Sequence, residues 1–272
     1  MSRLEGKVAV VTGGAGDIGV ATAKKLVSEG ARILLVDLAE SALREAARSI
    51  GSEAVTIQPG DVTKPDDNER MIQTAVERLG GVDVFVANAG IEGTVKPIPD
   101  YPVETFDKVI AVNVRGVWLG MKYAIPAIAK RGGGSIVVLS SIAGLRGLAG
   151  VSPYVTSKHA VIGMVRTAAL ECARSKIRVN TVNPSPIETR MMHRIERLVQ
   201  PAPAEGRQQH SLEEGLAPGA GARAKKGFEA IIPLARYGTP EEVADIVCFL
   251  ASDESRFCTG GVYSVDGGMS AT

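Results

Sequence analysis

Short, β-branched, almost wholly apolar runs recur along the chain, each followed by a longer amphipathic stretch, and this alternation constrains the fold more than any other feature. The runs are Val8 to Thr12, Arg32 to Val36, Ala54 to Gln58, Val82 to Val86, Ser135 to Leu139, Ile177 to Val182 and Gly261 to Val265. Between them, helical patterns occupy 18–29, 40–50, 65–79, 102–130, 153–174 and 240–251. A strand that is apolar at nearly every position is buried on both faces, as happens when helices cover both sides of a parallel sheet. Strand–helix units of this length close right-handed βαβ crossovers. The expected class is therefore α/β: a single domain built on one doubly wound parallel sheet of about seven strands with helices on both faces.

At 272 residues the chain is long enough for one such core. A net charge of +1 with 22% charged residues gives no basic excess that would call for nucleic acid as a partner. No apolar run reaches membrane-span length, and the start, Met1-Ser2-Arg3-Leu4-Glu5-Gly6-Lys7, has no apolar leader core, so no membrane partner and a cytoplasmic location are expected. Cys172, Cys248 and Cys258 show neither C-x-x-C spacing nor a histidine cluster, so neither a metal site nor a disulfide framework is indicated. One stretch breaks the rhythm. From Gln200 to Gly227 the chain is rich in Ala, Pro and Gly, and just before it Met191, Met192, Ile195, Leu198 and Val199 recur at helical spacing. An insertion over about 186–236 is expected, either as a substrate lid or as a small helix packed on its own domain.

The first strand runs into Thr12-Gly13-Gly14-Ala15-Gly16-Asp17-Ile18-Gly19 and then a helix. Glycines Gly13 and Gly16 at a strand-to-helix turn let backbone amides approach a pyrophosphate, and the helix N-terminus adds a favourable field of about half a charge. Asp17 and Ile18 complete this turn. The second strand ends at Val36-Asp37-Leu38. A carboxylate there, about twenty residues past the last glycine, accepts hydrogen bonds from ribose hydroxyls and opposes a 2′-phosphate. No arginine or lysine stands at Gly14, Ala15, Gly16 or Leu38 to offset that repulsion, which selects NAD over NADP.

Farther along, Ser141 precedes Tyr154, and Lys158 lies four residues after it. If 152–174 is a helix, Tyr154 and Lys158 share a face. A free tyrosine has a pKa of about 10. An ammonium beside it favours the ionised phenol and moves that value toward the working range. A serine hydroxyl at the end of the preceding strand can hold a substrate oxygen against the same phenol.

These residues, taken in order, resemble the short-chain dehydrogenase/reductase family along essentially the whole chain. The matching pieces are the turn ending Asp17-Ile18-Gly19, Asp61-Val62, Asn88-Ala89-Gly90, Ala111-Val112-Asn113-Val114-Arg115-Gly116, Ser141 with Tyr154 and Lys158, Asn183-Pro184, Pro233 to Gly238, and Val265-Asp266-Gly267-Gly268. The resemblance implies a Rossmann fold and an alcohol dehydrogenase or ketoreductase that uses NAD. It implies Tyr154 as general acid/base, with Lys158 lowering the phenol's pKa and holding the nicotinamide ribose. Ser141 would orient the substrate oxygen, and Asn113 would anchor a water linking Lys158 to solvent. Asp61 and Val62 would meet the adenine, and Asn88, Ala89 and Gly90 would line the central cofactor pocket. Pro184, Ile187 and Thr189 would border the nicotinamide. A homotetramer is expected on the same ground, through 102–130, 153–174 and the C-terminal segment.

Two positions depart from the family pattern: Asp17 stands where a glycine is usual, and Ser185 follows the proline near the nicotinamide. Asp17 is expected to turn away from the phosphates, to cap the following helix, or to accept from a cofactor hydroxyl. The expected substrate wall is apolar or small, with Ile91, Ile142, Leu145, Leu148, Pro186, Met191 and Met192, and with Glu92 as its polar exception. That suits a small hydrophobic or cyclic alcohol or ketone. Arg190, Arg194, Arg197, Arg207, Lys225 and Lys226 are placed either to meet an acidic substrate or to form a solvated face. The competing readings are a 3-oxoacyl-(acyl-carrier-protein) reductase, which Asp37 opposes, and a non-catalytic NAD-binding sensor or scaffold, which has no need of the proton-handling residues.

Overall fold

Successive side chains of a strand point to opposite faces, and the apolar runs of this chain fill both. In β1 (Val8–Thr12), Val8 and Val10 join one core cluster with Met71, Phe85, Met121 and Val165. Ala9 and Val11 join a second cluster with Leu26, Leu43, Val137 and Val247. The computed structural model describes residues 2–198 and 220–271. Its strands are β1, β2 (Arg32–Asp37), β3 (Val55–Pro59), β4 (Val84–Ala87), β5 (Gly134–Leu139), β6 (Ile177–Pro184) and β7 (Val262–Val265). They form one parallel sheet in the order β3-β2-β1-β4-β5-β6-β7.

The first cluster lies under α3 (Pro65–Leu79), α5 (Val117–Lys130) and α6 (Ser152–Cys172). The second lies under α1 (Asp17–Ser28), α2 (Glu40–Ile50) and α9 (Pro240–Ala251). The remaining helices are α4 (Val103–Ile110), α7 (Arg190–Leu198) and α8 (Ala220–Ala230). From β1 the chain steps outward to β2 and β3, then returns to β4 on the other side of β1. That reversal opens a crevice beyond the C-terminal ends of β1 and β4, the place where doubly wound sheets take ligands.

The sequence pattern anticipates the strands to within two residues at either end, β2 for instance continuing to Asp37 and β6 to Pro184. It fails in two helical regions. The single helix expected over 102–130 is α4, a π-helical turn over Ala111–Gly116, and α5. Residues 220–230 are helical although they belong to the stretch that breaks the rhythm, and their alanine content favours this. The rest of that stretch, with Val199, lies outside the described residues. Near α7, Ile142, Met192, Ile232, Tyr237 and Met269 form a third, smaller apolar cluster with Ile195 and Phe228 against it. No helix among the described residues is long and apolar enough to cross a membrane.

Candidate active site

The turn after β1 is held by close backbone contacts that only glycine permits. Gly13 has φ 64°, and a Cβ there would come within 2.8 Å of the Ala89 Cα. A Cβ on Gly19 would lie 2.2 Å from the Gly13 carbonyl oxygen. The Asn88 amide donates to the carbonyls of Thr12 (3.0 Å) and Gly13 (2.9 Å), so its amide group fastens the end of β4 to the turn. At the other edge of the turn, the Ala15 N–H donates to Asp37 (3.1 Å), whose second oxygen accepts from the Leu38 N–H (2.8 Å). Helix α1 begins after Gly16 with no side chain capping it. Uncapped N–H groups at a helix start form an anion site.

This cradle fits a dinucleotide. The carboxylate oxygens of Asp37 each keep a lone pair for a hydroxyl, and Leu38 beside them is 70% exposed with no charge to receive a 2′-phosphate. Asp61 accepts from the N–H (2.9 Å) and hydroxyl (2.8 Å) of Thr63 through one oxygen. Val62 packs against Gly116, where a Cβ would come within 2.9 Å of it.

Across the crevice, Ser141 follows β5, and Tyr154 and Lys158 sit one turn apart near the start of α6. The Ser141 hydroxyl accepts from the Ala143 N–H (3.1 Å), donates to the Pro184 carbonyl (3.4 Å) and lies beside the Tyr154 phenol, whose ionised form it favours. The Lys158 ammonium donates to the Leu139 carbonyl (2.7 Å) and lies 5.5 Å from the centroid of the Tyr154 ring. Burial pushes the Lys158 pKa down to about 8. Burial also pushes the Tyr154 phenol up; the Ser141 hydroxyl opposes that rise and the Glu92 carboxylate adds to it. Each charge is therefore disfavoured on its own, and at neutral pH the phenol holds its proton beside a mostly protonated ammonium.

Asn113 lies in the π turn and is buried. Its oxygen accepts from the Ile91 N–H (2.8 Å), and its amide donates to the Ile91 carbonyl (2.9 Å) and to the Ser157 hydroxyl (3.1 Å). Both amide protons are thus committed to the protein, pinning the loop after β4 to α6 one residue from Lys158. Gly90 lies beside this junction, where a Cβ would be 3.6 Å from the Lys158 Nζ.

Helix α7 spans the mouth of the crevice. Thr189 caps it, accepting from the Met192 N–H (3.2 Å) and donating to the Ile187 carbonyl (3.1 Å). Ile187 is buried and pairs with Gly238. Arg190 binds Asp17 through its own N–H (2.7 Å) and its Nε (2.9 Å), and its Nη2 donates to the Ala15 carbonyl (2.7 Å). The contact explains Asp17, which turns toward α7. One turn later Arg194 binds Glu92 through Nε (2.7 Å), and Lys225 of α8 binds Glu188 (2.6 Å). Three of the six cations considered for an acidic substrate are therefore neutralised by carboxylates of their own chain, and Arg207 lies outside the described residues.

Among the apolar wall residues, Ile142 and Met192 are drawn into the third core cluster. Ile91, Leu148, Pro186 and Met191 are half-buried, and Leu145 is exposed. The sequence reading missed Ser157 as the partner of Asn113, the Leu139 carbonyl under Lys158, and the pairing of Asp17 and Glu92 with α7. The one available signal was the spacing of Arg190 and Arg194, which puts them on one helix face.

A family model described as enoyl-(acyl carrier protein) reductase matches residues 13–270. Levodione reductase from Leifsonia aquatica is 33% identical, over 99% of this chain and 96% of its own. Cyclohexanol dehydrogenase from Acinetobacter sp. (strain SE19) is 34% identical, over 98% of this chain and 96% of its own. The solved structure of NAD+-bound xylitol dehydrogenase superimposes with a TM-score of 0.87 at 33% identity, covering 98% of this chain and all of that one.

Proposed function

The chain belongs to the short-chain dehydrogenase/reductase family of oxidoreductases, and from that membership we propose that it interconverts a secondary alcohol and a ketone with NAD(H) as its cofactor. The observation that carries the proposal is the joint placement of Ser141, Tyr154 and Lys158 across the crevice from an uncapped helix start and Asp37. NAD, when bound, supplies or accepts the hydride. The Tyr154 phenol gives its proton to the carbonyl oxygen in reduction and takes it back in oxidation. Ser141, beside that phenol, holds the same oxygen. The Lys158 ammonium favours the phenolate at the moment the proton leaves, and Asn113 keeps the loop after β4 in register with α6. Asp37 supports NAD over NADP by its charge.

A small hydrophobic or cyclic substrate suits the half-buried Ile91, Leu148, Pro186 and Met191, with α7 and α8 as its lid. The arginine-to-carboxylate pairing of α7 argues against an acidic one, and one relative is named for cyclohexanol. A cytoplasmic homotetramer is part of the proposal. Val103, Phe106, Trp118 and Leu170 expose apolar surface on the helices expected to meet in it.

The test is NADH binding by fluorescence, followed by a panel of cyclic and aromatic ketones, on wild type and Tyr154→Phe. The variant is expected to bind NADH as wild type does and to lose roughly 10²-fold or more in kcat. Activity within a few-fold of wild type would sink the assignment. NADH binding without turnover of any ketone by wild type would instead favour a sensor.

A further inference from the structure

Resting on the dinucleotide reading above, we propose that Arg190 is part of the dinucleotide-binding site, because it cancels the charge of Asp17 at the anion-binding end of α1. Asp17 is the first residue of α1, after an uncapped Gly16. A carboxylate at that point competes with a phosphate for the same helix field and repels it. Left alone, it would spoil the cradle that Gly13, Gly16 and Gly19 build.

Arg190 meets the carboxylate with two hydrogen bonds, one from its backbone (2.7 Å) and one from its guanidinium (2.9 Å). The same guanidinium reaches the Ala15 carbonyl (2.7 Å). Ala15 is thereby clamped on both sides, its N–H by Asp37 and its carbonyl by Arg190. With side chains 66% and 29% exposed, Arg190 and Asp17 would add little as an ordinary surface ion pair. Their position, more than their strength, gives them a role. Arg194, one turn on, fastens the same helix to Glu92 on the opposite lip of the crevice. The neutralising charge is therefore delivered only when α7 is seated, and dinucleotide affinity depends on a helix outside the glycine turn.

The experiment measures NADH dissociation constants by fluorescence for wild type, Arg190→Gln, Asp17→Asn and the double variant, with thermal melting of each. Arg190→Gln is expected to weaken NADH about tenfold or more, since it leaves Asp17 beside the diphosphate. Asp17→Asn is expected to bind at least as tightly as wild type, and the double variant to recover to within about threefold of it. ADP-ribose, which carries the diphosphate without the nicotinamide, is expected to rank the four proteins in the same order. NADH binding by Arg190→Gln equal to wild type, or a double variant as weak as Arg190→Gln, overturns the inference. Should Arg190→Gln fail to fold, Arg190→Ala takes its place and is read against the same two outcomes. Failure of wild type to bind NADH at all would overturn the cofactor reading itself, and this inference with it.

Discussion

Replacing Lys158 by methionine separates the cost of the buried ammonium from its use. The lysine is 5% exposed, its ammonium donates to the Leu139 carbonyl at 2.7 Å, and burial holds its pKa at about 8 against an ordinary 10.5. Below pH 8 the folded and unfolded chains both hold the proton. Between 8 and 10.5 the unfolded chain holds it and the folded chain has lost it, so this group makes stability rise with pH across that window. A gap of about 2.5 pH units corresponds to a penalty of about 3 kcal/mol at neutral pH. The methionine variant escapes that penalty, but it leaves the Leu139 carbonyl unpaired at a cost of roughly 1–3 kcal/mol. At pH 7 the variant should therefore be as stable as wild type or more so. On going to pH 10.5 its advantage should shrink by about 3 kcal/mol, because only wild type gains. Urea unfolding at steps between pH 7 and 10.5, followed through the chain's one tryptophan, Trp118, measures the difference. Carrying Tyr154→Phe in both proteins removes the one phenol that Lys158 lies against, and the remaining tyrosines titrate in both, so their contributions cancel. A difference that stays constant with pH would refute the reasoning. Ketone reduction by the variant should be lost at every pH, which would make Lys158 a residue retained at the expense of stability.

Asp37→Asn keeps an oxygen for the Ala15 N–H but removes the charge. Like charges about 4 Å apart at an effective dielectric of 20 repel by roughly 4 kcal/mol before screening, so the ratio of kcat/KM for NADPH over NADH should rise at least about tenfold; an unchanged ratio would count against Asp37 as the selector. Asn113→Leu leaves the half-buried Ile91 N–H and carbonyl without their partner, and should cost roughly 1–3 kcal/mol in urea unfolding along with a fall in kcat. Wild-type stability with normal kcat would show that the loop after β4 is held by something else.

What the sequence displays well is whatever repeats locally. The seven strands and most helices announce themselves by burial period, and the glycine turn by residues that are adjacent in the chain. Ser141, Tyr154 and Lys158 come together as expected because one strand end and one helix face fix them. Contacts between distant residues are not legible in this way. Asp17 and Arg190 are 173 residues apart, and nothing near either names the other. Glu92, by its neighbours in the sequence a polar point in the substrate wall, is engaged by Arg194, 102 residues on. Ile142, expected in the apolar substrate wall, turns into the third cluster, whose other members come from α7 and the C-terminal region. The depressed Lys158 and raised Tyr154 pKa values also come from burial, which an i, i+4 spacing does not reveal.

The π turn between α4 and α5 amounts to one residue more than a regular helix would hold there. Each residue of an α-helix turns the chain by about 100° and advances it about 1.5 Å. The π turn absorbs its surplus residue locally, so α4 and α5 keep the relative angular setting of one regular rod. Deleting a residue from a regular stretch of α5 would turn everything beyond it by about 100°, whereas deleting one between Ala111 and Gly116 would leave both helices in phase and only tighten the wide turn. What that tightening would cost is the bowed-out position from which Asn113 reaches Ile91 and Ser157. The surplus residue thus serves the crevice, and the core packing of α4 and α5 has no need of it.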